Sequence, residues 1–204
     1  NANAVAELVF GMAVALARNN FNGTSGVELK GKKLGIHAYG NVGRCVATIA
    51  KGFGMEVYAF DPFVSKEAIE ADGVKAVDSI DALYSTCQYV SLHIPATEKT
   101  KKSINAALLK QMPKGGVLIN TARKEVIDEE SLVALMAERT DFSYIADVAP
   151  DNKDEFKQFE GRYFFTPKKM GAQTQEANIN AGVAAANQII KYFKTGDETF
   201  RLNK

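Results

Sequence analysis

The sequence predicts an α/β fold built on a doubly wound parallel sheet, with a long helix flanking the sheet at each end of the chain. Three observations carry that prediction. Apolar runs of strand length alternate with helical stretches through the middle of the chain. The first such run passes through a glycine turn directly into a helix. The second ends in an acid. Alternating strands and helices are βαβ units, and a crossover helix makes the strands it joins parallel.

In chain order, the first element is a helix in which Val5, Leu8, Val9, Met12 and Leu16 recur at helical spacing on one apolar face. Asn19, Asn20, Gly23 and Gly26 end it. Strands follow over residues 34–38, 56–60, 89–92, 116–120 and 143–147, with weaker ones at 75–77 and 163–165. Helices fall between them at 42–52, 66–71, 79–84, 105–112 and 129–139, with Asp78 and Asp128 as N-caps. The charged stretch 151–161 reads as the longest loop. A last helix over 174–194 keeps Ile179, Val183, Ala186, Ile190 and Phe193 on one face, and Gly196 terminates it. The first and last helices need partners beyond the sheet, which places them at its margin or at a subunit interface.

Composition narrows function by exclusion. The chain has 204 residues, 46% hydrophobic and 24% charged, with a net charge of +1. This is a globular composition, not a disordered one. The balanced charge leaves no electrostatic footprint for nucleic acid. The most apolar run, 4–17, is too short to span a bilayer and contains Glu7, so no membrane association is expected. Two cysteines, Cys45 and Cys87, cannot build a disulfide framework, which points to a reducing cytoplasm. No cluster of His, Cys and acidic residues has metal-ligand spacing, so no metal is expected. The chain begins with Asn1 rather than Met, as a fragment would.

The glycine turn carries the first chemistry. Gly40 lets backbone approach a pyrophosphate, the amides of Asn41 and Val42 face the phosphates at a helix N-terminus, and Gly43 lets that helix pack closely on the strand. Ala38 stands where a first glycine is usual, so a negative φ and a slightly altered turn are expected there. Asp61 closes the next strand about 20 residues on, where an acid hydrogen-bonds the ribose hydroxyls of a dinucleotide. No arginine follows to receive an extra phosphate, so NAD is the expected cofactor. A structural glycine turn followed by a turn aspartate, or an S-adenosylmethionine site, would read similarly. His37, within the first strand, reads as a packed residue, and Cys45 as a packing thiol.

Two further blocks raise the specificity. Residues 91–100, with His93, Ile94, Pro95 and Thr100, form one. Residues 113–123, ending in Asn120, Thr121, Ala122 and Arg123, form the other. With these and the leading helix, the chain resembles the D-isomer-specific 2-hydroxyacid dehydrogenases over almost its whole length. The resemblance implies a Rossmann-type cofactor domain and NAD-dependent oxidation of a small 2-hydroxy acid. 3-Phosphoglycerate comes first; glycerate or lactate is the alternative, and a non-catalytic NAD-sensing module is the rival. It divides the chain into a linking helix at 1–20, an NAD-binding domain at 21–172 and a crossing helix at 173–204. The crossing helix leads back toward a substrate domain absent from this chain, and a homodimer is implied. No regulatory domain of the kind some members carry is expected beyond that helix.

The resemblance also implies roles. Arg123, at the carboxyl edge of its strand, would grip the substrate carboxylate through two parallel hydrogen bonds. His93, Ile94, Pro95, Thr100, Thr121, Ala122, Asp147 and Gly171 would border the cofactor, with Asp147 beside the nicotinamide. The family's catalytic histidine follows Thr-Pro, and its glutamate partner stands upstream. Here lysines follow Thr166-Pro167, and Asn152 stands five positions beyond Asp147, where the glutamate is expected. A subgroup of the family carries lysine there, and this chain resembles it. Burial and the charge of Arg123 would lower that lysine's pKa toward a base's range, whereas a glutamate would oppose this. Counting from Thr166-Pro167 selects Lys168, which is preferred, and counting back from Gly171 selects Lys169.

Overall fold

The computed structural model describes residues 1–203. Seven strands form one sheet: β1 (Lys33–His37), β2 (Glu56–Phe60), β3 (Lys75–Ala76), β4 (Tyr89–Leu92), β5 (Val117–Asn120), β6 (Ser143–Ala146) and β7 (Tyr163–Phe165). Their order is β3-β2-β1-β4-β5-β6-β7, and every pair is parallel. The expected doubly wound sheet is therefore present, with the two weaker strands at its edges.

The helices are α1 (Ala2–Ala17), α2 (Asn41–Gly52), α3 (Lys66–Glu70), α4 (Ile80–Thr86), α5 (Ala106–Leu109), α6 (Glu129–Glu138) and α7 (Gln175–Thr195). One apolar core joins α1, α2 and α3 to one face of the sheet, and a second joins α4, α5 and α6 to the other. Rather than lying at the margin, α1 buries Val9, Phe10, Met12 and Ala13 in the same core as Val46 and Ala50 of α2.

Local chemistry moved several expected details. Ser79, not Asp78, caps α4 by accepting from the Ala82 amide, while Asp78 pairs with Lys66. Asp128 does occupy the N-cap position of α6, without a side-chain cap bond. The stretch 151–161 is not a plain loop: Lys153–Phe159 winds into a 3-10 helix. Phe156 drives this by burying its ring among Tyr144, Tyr163 and Phe165. The apolar face of α7 is present, but Ile179, Val183, Ile190 and Phe193 are all exposed and only Ala177 is buried.

Candidate active site

Parallel register aligns His37, Phe60, Leu92, Asn120, Ala146 and Phe165 in one row across the sheet. The chain segments that follow them therefore emerge along a single edge. Sheet order reverses between β1 and β4, and ligands of open α/β sheets bind in the crevice that such a reversal leaves.

On the β2 side of that crevice lies the glycine turn. Gly40 is the N-cap of α2 and offers no side chain, and a Cβ built on it would meet nothing within 4 Å. The first amides of α2, from Asn41, Val42 and Gly43, have no intrahelical partner and stand at the positive end of a helix dipole. Gly43 is confined: a Cβ there would come within 2.5 Å of the Ala38 carbonyl oxygen. Ala38 does not keep the negative φ expected of it. It takes the glycine's own conformation, φ +80, because the chain must reverse within three residues to reach α2. Asp61 is both turn residue and acceptor. One carboxylate oxygen accepts from the Tyr39 amide at 2.7 Å and the other from the Phe63 amide at 2.8 Å. This fixes the carboxylate against the glycine turn.

On the other side, a cavity of about 510 Å³ is lined by Val42, His93, Pro95, Thr121, Arg123 and Lys169, among others. It also takes in Ile94 and Ala122. A smaller adjoining cavity of about 140 Å³ is lined by Asn120, Arg123, Asp147 and Lys169. Lys169 donates from Nζ to the Ala122 carbonyl at 3.1 Å, and its pKa is lowered by burial first and then by the Arg123 charge. Asp147 and Glu125 oppose that shift. His93 lines the cavity and binds Ser91 at 3.0 Å; burial, with His37 nearby, pushes its pKa down to about 3. The cleft is thus set with two cationic side chains and neutral imidazole, which suits an anionic ligand.

Not every expected residue reaches this cleft. Both lysines are exposed, but Lys168 lines neither cavity, so the structure brings Lys169 rather than Lys168 to Arg123. Thr100 spends its hydroxyl inside its own loop, donating to the Pro95 carbonyl and accepting from the Thr97 amide. Asp147 is 3% exposed and braces the lysine segment. It accepts from the Thr166 hydroxyl at 2.9 Å and from the Met170 and Gly171 amides at 2.8 Å. Gly171 lies behind that carboxylate, where a Cβ would come within 2.9 Å of it. Asn152 lines neither cavity. His37 is packed as expected, held by Tyr84 at 3.1 Å. Sequence reasoning missed Asn120 as a site residue, although a lone polar side chain closing an apolar strand was the available signal.

The donor set fits a dinucleotide. Amides open to an anion at Gly40, a fixed acceptor at Asp61, and a buried Thr121 hydroxyl with no partner on the cavity wall are what such a ligand would satisfy. Among the described residues, no three His, Cys or acidic side chains converge as a metal site would require. No helix among them is long and apolar enough to cross a membrane.

Comparisons with known proteins agree with this geometry. Residues 5–166 match the D-isomer specific 2-hydroxyacid dehydrogenase, NAD binding domain family. The chain is 34% identical to D-3-phosphoglycerate dehydrogenase of Methanocaldococcus jannaschii, over 93% of this chain and 39% of that protein. It is 33% identical to the Haemophilus influenzae D-3-phosphoglycerate dehydrogenase, over 100% of this chain and 53% of that protein. A crystal structure of NAD+-bound 3-phosphoglycerate dehydrogenase from Entamoeba histolytica superposes with a TM-score of 0.89 at 48% identity, covering 99% of this chain and 65% of that one. The chain therefore spans only part of the length of the relatives it matches. On the strength of the family match, the sheet order and the open helix terminus at Gly40, the chain belongs to the D-isomer specific 2-hydroxyacid dehydrogenases and is their NAD binding domain.

Proposed function

We propose that this chain is the cofactor-binding part of an enzyme that oxidises 3-phosphoglycerate to 3-phosphohydroxypyruvate, with Arg123 holding the substrate carboxylate and Lys169 moving the proton. The observation that carries this reading is the pairing of Arg123 and Lys169 on one cavity wall beside the dinucleotide turn. The choice of substrate is supported by the 3-phosphoglycerate dehydrogenases among its relatives.

Oxidation of a 2-hydroxy acid removes a hydride from C2 and a proton from the C2 hydroxyl. The chemistry NAD supplies when bound is acceptance of that hydride. Gly40, Asn41, Val42 and Gly43 would hold its pyrophosphate, and Asp61 its ribose hydroxyls. Arg123 would bind the substrate carboxylate through its guanidinium fork, fixing C2 against the cavity. A neutral Lys169 would take the hydroxyl proton at Nζ, and its lowered pKa raises the neutral fraction available to do so. Asp147 already holds three donors. A carboxylate has about four lone-pair sites, so one remains for a carboxamide N–H.

The domain division at residues 20 and 172 belongs to the same proposal. The uncovered apolar face of α7 supports its role as a crossing helix toward a substrate domain, and homodimerisation and a cytoplasmic location are carried from the family resemblance.

The test is NADH consumption by the full-length protein offered phosphohydroxypyruvate, hydroxypyruvate and pyruvate in parallel. Preference for phosphohydroxypyruvate is expected. Lys169→Met should lower kcat by roughly 10²- to 10⁴-fold, the usual contribution of a positioned proton carrier, while Lys168→Met keeps most of it. Tight NADH binding with no turnover of any of the three would refute the dehydrogenase reading and favour a sensor.

A further inference from the structure

Two strand ends meet beneath the reacting pair. β5 closes with Asn120, and its neighbour β6 is followed at once by Asp147, whose amide donates to the Asn120 carbonyl at 2.9 Å. The Asn120 side chain is 4% exposed and turns back on the loop it precedes. Its Oδ1 accepts from the Ala122 amide at 3.0 Å, and its Nδ2 donates to the Arg123 carbonyl at 3.0 Å. The second Nδ2 proton points to the Tyr144 hydroxyl at 3.4 Å. Exchanging oxygen and nitrogen would set the amide NH2 against the Ala122 N–H, so only one orientation of this side chain satisfies the loop.

The consequence reaches further than the loop. The Ala122 residue whose amide Asn120 holds is the one whose carbonyl receives Lys169 Nζ. The same carbonyl also accepts from the Arg123 guanidinium at 3.1 Å. One buried side-chain amide therefore clamps the peptides on either side of the carbonyl on which both cationic side chains rest. The Lys169 end is held independently, because Asp147 grips the Met170 and Gly171 amides that follow it.

We infer that Asn120 is a positioning residue that registers Arg123 against Lys169, by clamping the two peptides that flank the Ala122 carbonyl, to which both side chains are hydrogen-bonded. The inference rests on the reading of Arg123 and Lys169 as the reacting pair. It adds a residue that touches neither substrate nor cofactor and acts only through the turn. A shorter side chain would leave the Ala122 N–H and the Arg123 carbonyl without these partners.

The experiment uses the full-length protein with NADH and phosphohydroxypyruvate and compares Asn120→Ala with Asn120→Asp. Asn120→Ala should raise KM and lower kcat/KM by roughly 10- to 100-fold, the scale of a misplaced reacting group. It should also displace the lysine limb of the kcat/KM pH profile and leave the NADH dissociation constant within about twofold, because the glycine turn and Asp61 are untouched. Asn120→Asp keeps an acceptor for the Ala122 amide and should recover part of the loss. Adding Asn120→Ala to Lys169→Met should not lower kcat further, while the rise in KM carried by Arg123 persists. A lowered Tm with unchanged KM and pH profile would overturn the inference, as would a further loss of kcat in the double variant. Should Asn120→Ala fail to fold, the KM and pH profile of Asn120→Asp decide by the same criteria. If Arg123→Ala and Lys169→Met both turn over normally, the reading of the pair fails, whatever Asn120 does.

Discussion

The buried histidine below the glycine turn makes the fold sensitive to acid by a calculable amount. His37 is 5% exposed, lies between Phe60 and Tyr84, and hydrogen-bonds only Tyr84. Burial pushes its pKa from 6.5 to about 4, against a smaller opposing pull from Asp61. Between those two pH values the unfolded chain binds a proton that the folded chain refuses. Stability is therefore complete above pH 6.5 and drains away as pH falls toward 4. The full shift corresponds to about 3 kcal/mol, most of which is lost by pH 5. His37→Gln removes the titration and retains a partner for the Tyr84 hydroxyl. Urea unfolding of both proteins at pH 7 and pH 5 isolates the effect, because every other titrating group is present in both and His93, held down by burial first and by His37 only second, stays neutral in both folded proteins over that interval. The native protein should lose about 2 kcal/mol more than the variant over that interval. Equal losses, within about 0.5 kcal/mol, would show that the His37 site is hydrated or rearranges, and would refute the desolvation argument.

Three further outcomes follow from the cofactor turn. Gly43→Ala forces α2 away from the Ala38 carbonyl, now 2.5 Å from where the new methyl would stand. It should destabilise the protein by about 1–3 kcal/mol in urea unfolding and weaken NADH binding in a fluorescence titration. Ala38→Gly relieves a non-glycine residue held at φ +80 and should raise stability by about 1 kcal/mol, with Tm as the readout. Asp61→Ala removes the acceptor that holds the Tyr39 amide and would hold the ribose hydroxyls. It should weaken NADH binding by roughly tenfold, the scale of a charge-assisted hydrogen bond, and narrow the gap to NADPH.

Much of the site was legible because its residues sit at strand ends, where pattern and chemistry coincide. Apolar runs marked β1, β2, β4, β5 and β6, and the residues just past them, Asp61, His93, Arg123 and Asp147, could be singled out by their breaks in hydrophobicity. What could not be read was the aim of side chains within a loop. Lys168 and Lys169 are neighbours with the same chemistry. The second donates to the Ala122 carbonyl and lines both cavities, beside the Asp147 clamp on Met170 and Gly171, whereas the first lines neither. The bonding of Thr100 could not be read for a similar reason: its hydroxyl closes a turn on Thr97 and Pro95.

By itself the sequence determined the α/β class, the order of elements and the dinucleotide turn, because periodicity and backbone stereochemistry are local properties. Ala38 marks the limit of that reasoning: its own preference is negative φ, and the packing of α2 on β1 overrides it. The pairing of Arg123 with Lys169, the brace from Asp147 and the desolvation of His37 were decided only by tertiary structure. Each depends on distances between strands far apart in the chain, and parallel register alone brings those strand ends to one edge.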